Sequence, residues 1–313
     1  MRAGYPESIA LGNFFEVFGG FAPFVQIAKG SLISYNRAAE TRNNSDSKEF
    51  YTMTNHELAD LIYPSLPHTP EDYEAMYPER DLPEGAMVTR LGPSPTGFIH
   101  LGNLYGAFVD ERLAHQSGGT FFLRIEDTDD KRFVENAVET IITSLAFFDI
   151  RFDEGVTQSG DIGSYGDYTQ SHRGEIYRTF AKKMLEQGDA YPCFLSEDEI
   201  TEIREKQEAA KLSPGIYAGW SKYRDWDRDE AVAAEVEQRI KAGDPFVIRL
   251  KSRGVPNASA EETARHTVVD AIRGELSVPD NFLDIVIIKQ SGIPTYHFAH
   301  VVDDHLMRTT HVV

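Results

Sequence analysis

Apolar residues follow two different spacings along the chain. A short apolar run predicts a strand over 87–91, and apolar positions at helical spacing predict a helix over 102–119. The apolar face of that helix is expected to carry Leu104, Ala107, Phe108 and Leu113. A second strand is predicted over 120–127, and a second helix begins at Asp129. Strand, helix, strand and helix in this order predict an α/β fold with a doubly wound, Rossmann-like parallel sheet.

Two further helical segments follow in the second half of the chain. The first covers 171–190, where Ser171 is placed to cap the helix and Gly188 to end it. The other covers 294–307, and the residues over 310–313 are expected to begin a strand. The chain therefore returns to the α/β pattern close to its last residue.

Between these segments, 190–290 differs in pattern and predicts a smaller α+β insertion. Ser196 and Glu199 have the spacing of a capping box at the start of a charged helix. A second helix is predicted over 229–243, and strand-like runs lie at 191–194, 245–251, 266–272 and 282–290.

The first 52 residues show neither strand nor helix spacing. Met53 follows them, and we expect it to be the natural start, with 1–52 a disordered or non-native extension. The alternative is a genuine extra element. Asn55 is placed to cap a short helix with Leu58, Leu61 and Ile62 on one face. The expected units are a lead over 53–86, the first half of a nucleotide-binding domain over 87–189, the insertion over 190–290, and the start of a second half over 291–313.

The composition of the chain argues against several classes of protein. The net charge of -19 argues against broad affinity for nucleic acid, although a local basic groove on an acidic body is still possible. Cys193 is the only cysteine, which excludes an intrachain disulfide and a thiolate zinc cluster. No run of eighteen apolar residues and no secretory signal pattern occurs. We therefore expect a cytoplasmic protein that does not bind a membrane.

The clearest indication of a binding site is the stretch VTRLGPSPTGFIHLGN over 88–103, where a strand leads into a helix. Its prolines fix a turn, its glycines permit close approach of the backbone, and the helix N-terminus favours an anion. His100 can donate to a phosphate, so the stretch predicts a nucleotide-phosphate site. It matches neither the Walker loop nor GxGxxG. A plain strand-to-helix turn is the alternative.

Three segments of the chain, in the same order, are similar to the motifs of one known family of enzymes. The segment PSPTGFIHLGN over 93–103 resembles the first motif of class I aminoacyl-tRNA synthetases, with His-Leu-Gly-Asn in place of the hallmark His-Ile-Gly-His. The segments RIEDTD over 124–129 and PTYHFAHVVDDH over 294–305 are similar to those of glutamyl-tRNA synthetases. The resemblance covers about 53–313.

The resemblance implies a reaction and its partners. Glutamate attacks the α-phosphorus of ATP, which Mg²⁺ accompanies, and the glutamyl group then passes from the adenylate to tRNA(Glu). Adenylate formation in the family generally also needs bound tRNA. The insertion over 190–290 corresponds to the acceptor-binding domain. Some members carry zinc there, but a chain with one cysteine cannot hold that cluster.

The resemblance also implies roles for single residues. The glutamate pocket would consist of Arg90, Ser94, Glu126, Tyr296 and His300, with Glu126 on the α-ammonium group. The ATP site would consist of Pro93, Thr96, Gly97, His100, Gly102 and Asn103. Arg90, His100 and Asn103 would act in catalysis, and Asp129 and Arg132 would orient the tRNA acceptor end. Two positions depart from the family, because His300 stands where asparagine is usual and Gly92 where alanine is usual.

Other family features do not occur in the 313 residues. They include the Lys-Met-Ser-Lys-Ser-like loop, the arginine that follows the Thr-His-Val segment, and the anticodon-binding region. We therefore expect an N-terminal fragment that is inactive or nearly so. Two alternatives are a glutamyl-Q-tRNA(Asp) synthetase and a non-catalytic relic that binds ATP, glutamate or tRNA.

Charged pairs elsewhere allow two interpretations each. Asp303 and Asp304 resemble a metal-binding pair, but we expect them to cap a helix or form ion pairs within the fold. His172 and Arg173 would face the nucleotide or tRNA, or else lie on a solvated helix start.

Overall fold

The structure is a computed structural model that describes residues 53–95, 99–128, 134, 136–256 and 264–313. The expectations about 1–52 lie outside the described residues. The helices are α1 (Asn55–Ile62), α2 (Pro70–Met76), α3 (Leu101–Ser117), α4 (Ala137–Phe147), α5 (Gly174–Gln187), α6 (Glu197–Ala209), α7 (Glu230–Ala242) and α8 (Tyr296–Leu306). The strands are β1 (Val88–Leu91), β2 (Thr120–Leu123), β3 (Glu154–Thr157), β4 (Gly160–Ile162), β5 (Ala190–Cys193), β6 (Val247–Leu250), β7 (Arg265–Asp270), β8 (Gly274–Pro279) and β9 (Val286–Ile288).

The α/β pattern predicted for the first half of the chain is confirmed. Strands β1, β2 and β3 are parallel neighbours, and α3 and α4 are the crossover helices between them. Val88 pairs with Thr120, and Phe122 pairs with Glu154. All residues of β1 and β2 are buried, as expected for strands covered on both faces. Strand β4 adds to β3 as an antiparallel edge.

The strands within 190–290 form two antiparallel sheets that are separate from the parallel one. Strands β5, β6 and β9 form a three-stranded sheet, and β7 and β8 form a hairpin. The predicted capping box is present, because Ser196 Oγ accepts from the backbone of Glu199 while the Glu199 carboxylate accepts from the Ser196 backbone. Strands β3, β4 and β8 were not predicted. Strands β3 and β4 are only four and three residues long and contain glycine, whereas β8 does alternate, with Leu276 and Val278 between polar residues, and this signal was missed.

Several predicted boundaries are wrong for identifiable reasons. Helix α4 begins at Ala137, directly after Asn136, whose backbone is left-handed with φ of 61°, and the predicted start, Asp129, lies outside the described residues. Helix α1 is capped by Thr54, not Asn55, through a capping box with Glu57. Ser171 does not cap α5. It lies in a 3-10 turn and donates through Oγ to Asp127 Oδ2 (2.6 Å).

Two more predictions are wrong: one about which side chains of α3 are buried, and one about a strand at 310–313. Phe108 is 43% exposed, because the face of α3 that packs on the sheet carries the buried carboxylates Asp110 and Glu111 beside Ala107. The residues over 310–313 form no strand. The backbone N–H groups of Thr310 and His311 both donate to the carbonyl of Val88, so no regular ladder develops.

Two buried clusters hold the described residues together. The larger joins α1 and α5 to the three-stranded sheet and to α8. The smaller lies between α3, α4 and β2. The three-stranded sheet therefore packs through α5 and α8 onto the rest of the chain, and these contacts fix where α8 begins. Among the described residues, none of the helices combines the length and apolarity that crossing a lipid bilayer requires.

Candidate functional site

Charged side chains gather at the carboxyl ends of the first two parallel strands. Arg90 lies on β1, and Arg124 and Glu126 follow β2 directly. The pairing continues past the strands, because the Glu126 N–H donates to the carbonyl of Pro93 (3.0 Å). All three side chains are buried, and Arg124 is completely so. The carboxyl ends of parallel strands are the usual place for a ligand in this class of fold.

Helix α8 supplies the opposite wall of the site. Tyr296, His300 and Asp304 follow each other at intervals of four residues and therefore share one face of the helix. The start of the helix is fixed by β9, since the Thr295 N–H donates to the carbonyl of Ile287 (2.9 Å). Strand β9 thus positions the helix that forms this wall of the site.

Arg124 is the centre of the ionic network. Its Nη1 donates to Asp304 Oδ1 and its Nη2 to Glu126 Oε1, both at 2.8 Å. Burial alone would lower the pKa of Arg124, but the two carboxylates raise it above its ordinary value. Burial would likewise raise the pKa of Asp304, yet the charge of Arg124 holds it well below its usual range. Arg124 was not predicted as a site residue, although a cation inside an apolar strand was a usable signal.

Arg90 and His300 share the same aspartate. Arg90 donates through Nε to Asp304 Oδ1 (3.3 Å) and through Nη2 to Asp304 Oδ2 (3.2 Å). His300 Nε2 lies 3.0 Å from Asp304 Oδ2 and also contacts Arg90 Nη2. Burial would lower the pKa of His300, but the carboxylates of Asp304 and Glu126 raise it.

Glu126 has one oxygen free to accept a hydrogen bond from a ligand. Its Oε1 accepts from Arg124 and lies 3.3 Å from His300 Nδ1, in a position without hydrogen-bond geometry. Its Oε2 is buried and has no hydrogen-bond partner among the residues that the structure describes. Burial raises the pKa of Glu126, but Arg124 and His300 bring it below the ordinary value. Glu126 is therefore an anion with an unused acceptor, which suits an ammonium group.

Tyr296 lies at the open side of this cluster. Half of its surface is exposed, and its ring centroid lies 5.1 Å from that of His300. Burial of the other half, followed by the charge of Glu126, raises the pKa of its hydroxyl. Tyr296 therefore stays a neutral donor at physiological pH.

The proline-rich loop and the start of α3 border the cluster. Pro93 and Pro95 are buried, while Ser94 is exposed. His100 is the N-cap residue of α3, and its N–H donates to Asn103 Oδ1 (3.3 Å). A Cβ atom at Gly102 would meet nothing within 4 Å, so the helix start faces open space.

Not every predicted site residue is joined to the cluster. His300 contacts Arg90 and lies 3.3 Å from Glu126, and the ring of Tyr296 lies tilted beside that of His300. Within the described ranges, no hydrogen bond or ion pair links His100 or Asn103 to the cluster. Four predicted residues, Thr96, Gly97, Asp129 and Arg132, lie outside the described residues.

Asp303 and Asp304 form ion pairs within the fold, as expected. The structure also bears on the two interpretations of His172 and Arg173, which lie just before α5. Asp303 accepts from Arg173 Nε and from the Tyr177 hydroxyl, both at 2.7 Å. Arg173 is fully buried and donates to Asp303 and to the carbonyl of Asp167, so it does not lie on a solvated helix start. His172 is exposed and pairs with Asp167 (2.8 Å). Nowhere in the described part of the chain do three or more histidine, cysteine, aspartate or glutamate side chains converge as metal ligands would.

The chain is similar to known proteins over most of its length. The family model described as tRNA synthetases class I (E and Q), catalytic domain, matches residues 86–313. Glutamate–tRNA ligase of Acetivibrio thermocellus is 57% identical over 257 residues, which cover 82% of this chain and 45% of that protein. The ligase of Clostridium perfringens is 51% identical over 262 residues, covering 83% and 46%. The chain thus spans less than half the length of these curated relatives.

Solved structures give the same result. A crystal structure of a glutamate tRNA ligase from Elizabethkingia meningosepticum, in complex with its amino acid, superposes with a TM-score of 0.60 and 35% identity. The match covers 72% of this chain and 43% of that one.

Proposed function

Because the chain belongs to the class I tRNA synthetases for glutamate and glutamine, we propose that it binds L-glutamate and ATP as part of a glutamate–tRNA ligase. The reaction proposed for the whole protein is ATP-dependent ligation of glutamate to tRNA(Glu) through glutamyl-adenylate. The relatives described above, which are named glutamate–tRNA ligases, favour glutamate over glutamine. A cytoplasmic location belongs to the same proposal.

The observation that carries the proposal is the free oxygen of Glu126. A buried, ionised carboxylate with an unused acceptor, held between cations, is complementary to an α-ammonium group. Arg90 and His300 lie on the same side and offer positive or polar groups to a ligand carboxylate. An amino acid, which carries an ammonium group and at least one carboxylate, meets both needs in one pocket.

The ATP site is proposed for the loop and the start of α3. Backbone N–H groups at a helix N-terminus favour phosphate oxygens, and the open space at Gly102 leaves room for them. His100 and Asn103 would donate to the phosphates beside Pro93, and Thr96 and Gly97, which lie outside the described residues, belong to the same proposed site. Mg²⁺ bound with ATP would neutralise part of the phosphate charge. Donors placed there would stabilise the charge that develops as pyrophosphate leaves.

The domain limits and the tRNA contacts remain proposals as well. We place the first half of the nucleotide-binding domain at 87–189, the acceptor-stem-binding insertion at 190–290, and the start of the second half at 291–313. The separate antiparallel sheets within 190–290 support an inserted unit. Asp129 and Arg132 would orient the acceptor end of tRNA(Glu). On a chain with a net charge of -19, such a contact depends on a local basic surface.

Calorimetric titration of the chain with L-glutamate, L-glutamine and Mg-ATP tests this proposal. We expect saturable binding of glutamate and of Mg-ATP, with glutamine bound more weakly. A Glu126→Gln variant should lose glutamate and keep Mg-ATP, because the two ligands use different groups. If the chain bound neither glutamate nor Mg-ATP, the proposal would be overturned. Unchanged glutamate binding in Glu126→Gln would show that the amino-acid pocket is not at the place we propose.

A further inference from the structure

His300 lies between two buried carboxylates and a guanidinium. Its Nε2 is 3.0 Å from Asp304 Oδ2, its Nδ1 is 3.3 Å from Glu126 Oε1, and its Nε2 contacts Arg90 Nη2. About 15% of its side chain is exposed. The imidazole is therefore part of the buried network and also reaches the open side of the pocket.

The other charges around this imidazole balance. Arg90 faces it from β1, Arg124 and Glu126 from the residues at and after the end of β2, and Asp304 and Tyr296 from its own helix. The two arginines carry +2 and the two carboxylates -2, while Tyr296 is neutral. The net charge of the pocket is thus zero with neutral His300 and +1 with protonated His300.

Amino acids differ in what they need from such a pocket. Glutamate carries a net charge of -1 near neutral pH, whereas glutamine, with nearly the same shape, carries none. Moving an uncompensated charge out of water is costly, so glutamate requires a matching positive charge and glutamine does not. The protonation state of His300 is the one variable among these groups that can supply it near neutral pH.

We propose that His300 is a specificity-determining residue, which takes up a proton when an amino acid with a carboxylate side chain binds. This inference rests on the proposed function, since it concerns the same pocket. The proton comes from solvent and resides on the imidazole, and no covalent bond changes. Glutamate binding is then proton-linked, and glutamine binding is not.

The contact geometry explains how the proton would act. Nε2 cannot accept a hydrogen bond from Arg90 and donate one to Asp304 at the same time. In the neutral form, Nε2 can accept from Arg90 and hold its guanidinium in the network. In the protonated form, Nε2–H donates to Asp304 instead and repels Arg90. The N–H of Arg90 Nη2 that His300 had accepted is then released to a ligand carboxylate, while the bond from Nη2 to Asp304 can stay. The raised pKa of His300 shows that the protonated form is accessible near neutral pH.

Calorimetry in buffers of different ionisation enthalpy measures the proton directly. L-Glutamate and L-glutamine are titrated into the 313-residue chain from pH 6 to pH 9. Above the pKa of His300 we expect uptake of roughly one proton per glutamate and a Kd that rises about tenfold per pH unit. For glutamine we expect no uptake and a flat Kd. The ratio of glutamate to glutamine affinity therefore falls as pH rises.

Three variants identify the proton's site. His300→Asn should abolish the uptake and flatten the affinity ratio, because an amide cannot become a cation. His297→Asn removes an exposed histidine one turn away on the same helix and should keep the uptake. Asp110→Asn removes a carboxyl group on α3 whose pKa burial raises to about 7, and should also keep the uptake.

The outcomes separate this inference from the proposed function. Glutamate binding without proton uptake by the unmodified chain overturns the role of His300 and leaves the pocket in place, whether or not His300→Asn folds. Proton uptake that persists in a folded His300→Asn protein overturns it too. Absence of glutamate binding at every pH overturns the proposed function and this inference together. A purely structural His300 would change affinity for both amino acids equally, with no proton taken up.

Discussion

Gly92 lies directly against the carboxylate of Glu126. A Cβ atom at position 92 would come within 2.7 Å of Glu126 Cδ and closer still to Oε1. The absence of a side chain at position 92 therefore determines how far the glutamate carboxylate can reach toward the loop. The backbone at Gly92 does not have a positive φ, so the conflict is one of space and not of backbone strain.

Gly92→Ala should alter the pocket more than the fold. The carboxylate of Glu126 is the end of a flexible side chain and can rotate away, which weakens its bond to Arg124. We expect a loss of about 1–2 kcal/mol in the free energy of unfolding and weaker glutamate binding. Urea unfolding and calorimetry measure both. Gly106→Ala, in the middle of α3 with nothing near its Cβ, should instead stabilise by about 0.5–1 kcal/mol. Equal effects of the two substitutions would contradict this account of Gly92.

Removal of Arg124 should be far more destabilising than removal of a surface arginine. Arg124→Met leaves Glu126 and Asp304 buried without their main counter-charge. We expect a cost of about 3–5 kcal/mol in the free energy of unfolding. Arg151→Met breaks an exposed pair with Asp149 and should cost under about 1 kcal/mol. Similar costs in urea titrations of the two variants would show that Arg124 does not hold the network together.

Asp110 should make stability depend on pH between about 4 and 7. Burial raises its pKa from the ordinary 3.8 to about 7, with Arg90 opposing. The folded state therefore holds a proton that the unfolded state releases, and stability falls as pH rises through this window. The slope reaches up to about 1.4 kcal/mol per pH unit. The depressed pKa of Asp304 acts oppositely, since its contribution is lost only as pH falls below about 4.

Asp110→Asn should remove that slope. Urea unfolding at pH 5, 6, 7 and 8 would show the variant gaining on the parent protein up to pH 7 and holding a constant difference above it. Asp149→Asn, at an exposed position, serves as the control. Parallel stability curves for the parent protein and Asp110→Asn would mean that Asp110 is ionised in the folded state.

Parts of the site formed by residues close together in the sequence were predicted better than contacts between residues far apart in the sequence. Arg90 and Glu126 follow from motifs at the ends of predicted strands, because parallel strands bring their carboxyl ends to one edge. The loop before α3 was visible from its prolines and glycines. Most helices were also predicted, since their apolar spacing reflects the face that packs on the core.

Pairings across long sequence separations were not predictable in this way. Arg124 and Asp304 are 180 residues apart, and no local pattern marks them as partners. The sequence suggested ion pairing for Asp304 but could not say with which residue. The exposure of Phe108 was missed because burial on α3 is set by the sheet beneath it, which accepts Asp110 and Glu111.

The central claim, that Arg90 belongs to a glutamate pocket beside an ATP site, is tested most directly with glutamyl-sulfamoyl-adenosine, a stable adenylate analogue. We expect the chain to bind it, and Arg90→Ala to lose about 10²–10⁴-fold in affinity, from two charge-assisted hydrogen bonds of about 1.5–3 kcal/mol each. Arg90→Lys, which keeps the charge without the planar fork, should fall between. Mg-ATP affinity should stay unchanged in each folded variant. Equal affinity for the analogue in the parent protein and Arg90→Ala would contradict the account.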